Sequence, residues 1–286
     1  MPSLIDIRRR IRTVRSTEQI TKAMKMVSAA KLRRAQDRVL AARPYARMLE
    51  NLIADVSAAV LAEERATTQP LLARRPERHI RLILVTADRG LAGAFNSNLI
   101  KGAISFLEQH GEGEVDLVTV GRKGRDFFRK RGAPLVDERI GMTEKVVYAD
   151  AVALARAVME PFASGDIDAV YLLFNEFKSV IAQRLSIKKI LPLTLPESAR
   201  QVQFIYEQSP ERLLEQLLPR YVEVEIYHAL LESAAAQQAA RMTAMDAATS
   251  NAADMIERLT LYMNRVRQAS ITKEIIEVVS GAAAVG

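Results

Sequence analysis

Helix breakers are distributed along this chain in a way that leaves few folds open to it. All 12 glycines lie at or after Gly90, and none falls between Gly165 and Gly281. Proline is absent between Pro2 and Pro44 and again after Pro219. Within a helix interior proline costs roughly 3 kcal/mol and glycine about 1 kcal/mol relative to alanine. Two long windows, one near each end, are therefore free to be continuous helix. The C-terminal one, from Arg220 to Ser280, would span on the order of 90 Å at 1.5 Å per residue.

Hydrophobic spacing supports helices in both windows. Met245, Ala248, Ala252, Met255, Leu259, Tyr262, Val266 and Ala269 alternate spacings of three and four, which predicts a coiled-coil seam with an alanine-rich, closely approached start. Val222-Glu223-Val224-Glu225-Ile226 alternates like a strand, but it sits in a breaker-free window and is read as helix. In the N-terminal window Leu4, Ile7, Ile11 and Val14 keep the same rhythm. The apolar phase then slips, to Ile20, Met24 and Val27, and again to Leu32, Ala35, Val39 and Ala42, which predicts an irregular seam facing a regular one. Pro44 predicts a kink or a joint.

Between the windows the pattern changes. Strands are predicted at Arg81–Thr86, Val115–Val120 and Ala169–Phe174, with an edge strand in Ile181–Ile190. Helices are predicted at Ser97–His110, Arg122–Lys130 and Asp150–Phe162. Strands alternating with helices imply a mainly parallel sheet. The predicted fold class is mixed α+β. It consists of a long antiparallel coiled coil of the terminal helices, residues 1–65 and 208–286, with a Rossmann-like α/β domain, residues 78–195, inserted between them.

Composition excludes several functions. No cysteine is present, which removes thiol catalysis, disulfides and zinc ribbons. The longest run without charge, Gly90 to Ile100, is about half of what a spanning helix needs. The Arg-rich start resembles a transit peptide only superficially, because its helical character continues past residue 40. Residues 1–50 hold 13 Lys/Arg against four acids, a balance of +9 in a chain of net +7, so the remaining 236 residues sum to −2. Such a basic segment suits an acidic partner, an anionic polymer or merely a solvated helix face.

Motifs for chemistry are few. The turn Ala87–Asn96 follows a strand and precedes a helix, where phosphates often bind, yet it matches neither GxGxxG nor GxxxxGK[ST]. Gly121-Arg122-Lys123-Gly124 is weaker still. His79, His110 and His228 lack ligand spacing. No catalytic, cofactor or metal residue is predicted. Three readings stay open here: a structural subunit, a basic coiled-coil nucleic-acid-binding protein and a nucleotide-dependent α/β enzyme. The second must do without stacking, since residues 1–44 contain no aromatic.

Three blocks resemble the γ subunits of bacterial-type F-type ATP synthases. They are IRRRIRTVRSTEQITKAMKMVSAAKLRRAQ (Ile7–Gln36), TADRGLAGAFNSN (Thr86–Asn98) and the segment Ala240–Val285, whose ITKEIIEVVSGA resembles the family's ITxExxEIVxGA ending. The resemblance implies a rotor shaft, one copy per complex, whose terminal helices turn inside an α3β3 hexamer. The α/β domain sits at the foot, against the ε subunit and the polar loops of the c-ring. It implies that proton flow drives the rotation, that chemistry occurs on β, and that no cofactor is held by γ. The complex would sit peripherally on the cytoplasmic face of the bacterial plasma membrane. Family contacts with β map onto Lys22, Met24 and Lys25, and onto Arg267, Gln268 and Thr272. Arg8, Arg9 and Arg12 are added from charge alone as residues facing α or β. The regulatory cysteine pair of the plant-chloroplast version is absent, so thiol control of that type is impossible.

Overall fold

A computed structural model describes residues 3–62, 69–111, 114–194 and 208–285. Helix α1 (Leu4–Ala62) is followed by a short 3-10 turn at Pro70–Leu72. Then come β1 (His79–Val85), α2 (Phe95–Gln109), β2 (Glu114–Val120), α3 (Arg122–Arg129), β3 (Leu135–Arg139), α4 (Tyr148–Ser164), β4 (Ala169–Phe177) and β5 (Gln183–Leu191). Helix α5 (Pro210–Val285) closes the chain. The predicted class holds: two long terminal helices and, between them in sequence, a five-stranded sheet of order β3-β2-β1-β4-β5. β3, β2, β1 and β4 pair in parallel and β5 is antiparallel to β4. The chain divides into two compact units, residues 1–28 with 242–286, and residues 29–241.

In the second unit the sheet forms because its strands are short β-branched and aliphatic runs covered on both faces. Leu82, Ile83, Leu84 and Val85 of β1 and Leu117 and Val120 of β2 are fully buried. Each such side chain contributes about 1.5–3 kcal/mol of transfer free energy. Helix α2 lays Phe95, Leu99, Ala103 and Phe106 onto this core at helical spacing. Strand β3 was not predicted. Three of its five residues are charged, and Arg129 on α3 pairs with its Glu138. β5, at the opposite edge, carries exposed Lys188 and Lys189, the charge pattern that keeps an edge from pairing with another chain.

The strand-like string in α5 is helix, as read. Val222 and Ile226 are fully buried, and Glu223 between them accepts from Tyr148 Oη at 2.8 Å and Arg220 Nη1 at 3.1 Å. Burial, and then the hydrogen bond to Glu223, raise the Tyr148 phenol above its ordinary pKa. A second buried carboxylate, Glu232, accepts the Phe177 N–H of β4 at 2.9 Å. It also faces Arg43 of α1 at 3.5 Å and His228 at 3.6 Å. Pro44 marks no joint: α1 continues through it.

Gly121 opens α3 with φ +102°, and a Cβ there would lie 2.1 Å from the Thr86 carbonyl oxygen. Thr86 Oγ1 accepts the Gly124 N–H at 2.9 Å. The Gly-Arg-Lys-Gly motif is thus explained by close approach of α3 to the end of β1.

Candidate partner-contact surface

In the first unit, α1 and α5 run antiparallel. Thr21 Oγ1 and Thr249 Oγ1 lie 2.8 Å apart, and Lys25 Nζ meets Asp246 Oδ1 at 2.6 Å. The covered positions of α1 are Leu4, Ile7, Ile11, Val14, Glu18, Thr21, Lys25 and Ser28, and the rhythm goes on through Leu32, Ala35, Val39 and Ala42. This is an unbroken three-four spacing, so the predicted phase slips are corrected. Of the apolar residues that suggested the first slip, Ile20 and Val27 are 56% and 55% exposed and Met24 is half-buried at the seam edge. The seam instead passes through hydroxyls, Thr21 and Ser28, both buried. Thr249 also donates to the Met245 carbonyl at 2.7 Å, so the threonine pair leaves no orphaned polar group.

The α5 seam is regular, as predicted, but three of its eight positions move by one residue and a fourth is shared. Met245, Ala252, Leu259 and Val266 stay in it, whereas Ile256, Met263 and Ser270 replace Met255, Tyr262 and Ala269 as the better covered of each pair. Ala248 and Thr249 share the remaining place, both half-buried. Apolar counting could not separate Met255 from Ile256 or Tyr262 from Met263, since both members of each pair are hydrophobic. With residue 21 opposite 249, the start of α1 at Leu4 lies opposite residue 266 or so. That is why every residue of 271–280 is exposed.

All nine residues predicted to contact partners belong to this unit. Arg8, Arg9, Arg12 and Lys22 are exposed, and Met24 and Lys25 are half-buried at the seam edge. Lys25 is engaged by Asp246, a partner that sequence reasoning missed. Arg267, Gln268 and Thr272 are exposed on consecutive turns, with Thr272 Oγ1 donating to the Gln268 carbonyl at 3.0 Å. Exposed apolar side chains stand among them: Ile5, Met26, Leu261, Ile271, Ile275 and Ile276. The two helices differ in charge. Residues 3–28 carry seven cations against two acids, and residues 242–280 carry four against five.

The Ala87–Asn96 turn is closed by its own groups. Asn96 Oδ1 accepts the Ala87 N–H at 2.9 Å. Asp88, 9% exposed, accepts the Arg122 N–H at 3.1 Å, the Gly141 N–H at 3.1 Å and the Thr143 hydroxyl at 2.9 Å. A carboxylate of this turn thereby occupies the N-terminus of α3 and takes an N–H group that the Gly121–Gly124 turn would need to offer a phosphate. His79, His110 and His228 are each held locally, by Asp116, the Phe106 carbonyl and Glu232. Among the described residues no group of three or more acidic or histidine side chains could hold a metal, and no helix is long and apolar enough to cross a membrane.

Comparison with known proteins gives one consistent result. A family model described as ATP synthase matches residues 3–285. The ATP synthase gamma chain of Solibacter usitatus is 62% identical over 284 residues, covering 99% of both chains. That of Pelotomaculum thermopropionicum is 49% identical over 287 residues, again 99% of both. Among solved structures, a chain of the Tetrahymena thermophila mitochondrial ATP synthase central stalk and c-ring is similar with TM-score 0.60 and 26% identity, over 80% of this chain and 99% of that one. A chain of the Euglena gracilis mitochondrial ATP synthase shares the fold, with TM-score 0.67 and 18% identity, over 99% of this chain and 94% of that one.

Proposed function

This chain belongs to the ATP synthase family as a gamma chain, and on that premise we propose that it is the central rotor shaft of an F1Fo ATP synthase. It couples rotation driven by proton flow through a membrane ring to conformational change at catalytic β subunits, and it is not itself catalytic. Its partners are an α3β3 hexamer, an ε subunit and the polar loops of a c-ring, at the cytoplasmic face of a bacterial plasma membrane. Residues 1–65 and 208–286 act as the shaft and residues 78–195 as its foot. The similarities give the nucleic-acid-binding alternative no support.

The observation that carries this reading is the outward surface of the first unit. A two-helix coil that leaves Ile20, Met26, Val27, Leu261 and the apolar residues of 271–279 in solvent is built to be covered. Its cover meets a cationic helix on one side and a nearly neutral one on the other. A partner shifts a conformational equilibrium only by its difference in affinity between states. Identical β subunits around an unequal coil receive such differences from geometry alone. Arg8, Arg9 and Arg12 then face acidic β or α surfaces, Lys22, Met24 and Lys25 form a lower contact with β, and Arg267, Gln268 and Thr272 meet the β catch loop.

Met24→Lys tests the placement. Assembled complexes in membrane vesicles are expected to hydrolyse ATP with reduced proton pumping while subunit yield stays near normal. Intact coupling would remove Met24 from the stator contact.

A further inference from the structure

A groove of about 260 Å³ lies within the second unit. It is bounded by α1 through Lys31, Arg34 and Arg38, by the loop between β3 and α4 through Glu144 and Lys145, and by α5 through Gln238. Its hydrogen-bonding capacity is lopsided. The Val146 carbonyl takes Arg38 Nη2, and Thr143 Oγ1 is committed to Asp88. The Glu144 carboxylate is paired with Arg89 Nε at 2.6 Å. Gln238 Oε1 accepts from Arg241 Nη1 at 3.4 Å, which leaves the Gln238 amide nitrogen as its spare group. Lys31, Arg34 and Lys145 have no hydrogen bond or ion pair among the described residues. Next to Gln238, Arg241 is 9% exposed and its Nη2 has no hydrogen-bond partner. Lys31, Arg34, Arg38 and Lys145 thus line a recess whose one carboxylate is already neutralised from outside, with Arg241 adjoining it.

A recess rich in donors and poor in free acceptors selects an anion. Lys31, Arg34 and Arg38 recur at i, i+3 and i+7 and spread over about 10 Å of helix. That is a row suited to adjacent anionic groups rather than to a single point charge. Arginine's planar fork matches phosphoryl oxygens in pairs, and lysine adds charge without fixed geometry. We propose that this groove binds a compact anion carrying two or more phosphoryl groups, either inorganic diphosphate or the phosphate tail of a nucleotide. The proposal rests on the second unit alone and stands whether or not the shaft reading does.

The test is calorimetric titration of the purified full-length chain with inorganic diphosphate, ADP and orthophosphate. One-to-one binding of diphosphate is expected, weakened about ten-fold or more by Arg34→Gln with Lys145→Gln, a loss equivalent to at least about 1.4 kcal/mol. Lys101→Gln, on exposed α2 surface, should leave it unchanged. ADP binding at least as tightly as diphosphate identifies a nucleotide tail as the source, and weaker ADP binding identifies the free inorganic anion. No binding at ligand concentrations on the order of 1 mM would overturn the proposal. So would equal losses in the groove and Lys101 variants, or displacement of diphosphate by an equimolar glutamate octapeptide. The last result would make the groove a peptide-docking surface.

Discussion

Because the chain contains no cysteine, two introduced thiols report on the seam without background. The structure places Thr21 and Thr249 hydroxyl to hydroxyl at 2.8 Å, so Thr21→Cys with Thr249→Cys should oxidise to a disulfide with little backbone shift. The bridge closes a loop spanning 228 positions. On the chain-entropy model it restrains the unfolded state by about 5 kcal/mol. At a urea slope of roughly 2–3 kcal/mol per molar, that moves the midpoint of the oxidised chain up by about 2 M relative to the reduced one. The control is Ile20→Cys with Ala248→Cys, the pair that apolar counting puts into the seam. Ile20 is 56% exposed and points away, so this pair should cross-link slowly and add little stability. Non-reducing electrophoresis gives the rates, and urea unfolding with and without reductant gives the stabilities. Faster cross-linking of the control pair would refute the register and, with it, the continuous heptad through Thr21 and Ser28.

Two more outcomes follow from the second unit. Asp88→Ala strips one buried and two part-buried donors of their shared acceptor and should lower stability by about 2 kcal/mol in urea unfolding; a loss below about 1 kcal/mol would show that the turn is held by other contacts. Burial pushes the Glu77 carboxyl up, but its hydrogen bonds from Lys189 and Tyr171 outweigh this and leave its pKa below the ordinary 4.5. Its contribution is therefore fully present above pH 4.5 and is lost as pH falls through the depressed folded value. The stability gap between the chain and its Glu77→Gln variant should close on acidification, and a gap constant from neutral pH to pH 3 contradicts the sign.

Most of the α/β sheet was legible because buried parallel strands are continuous apolar runs between turns, as in Arg81–Thr86 and Ala169–Phe174. β3 was not: Asp137, Glu138 and Arg139 give it no hydrophobic signal, and only its neighbour β2 makes it a strand. In α1 the helix was legible and its phase was not. Hydropathy follows side-chain chemistry, and burial at Thr21 and Ser28 depends on what α5 presents across the seam. Counting threes and fours onward from Val14, regardless of polarity, lands on both residues. The charged members of the contact surface were visible as a basic run, but the Lys25–Asp246 pair links residues 221 positions apart and is invisible to local pattern. Asp88 read only as part of a strand-to-helix turn; its role as a staple needs the β3–α4 loop, which sequence did not place.

Glu232 gives the second unit an unusual mechanical economy. One side chain on α5 holds the end of β4 through the Phe177 amide and reaches α1 through Arg43. A twist of the sheet about the helices loads that carboxylate from both sides. A force applied to the sheet thus has, beside the packed core, one buried side chain through which it reaches both helices.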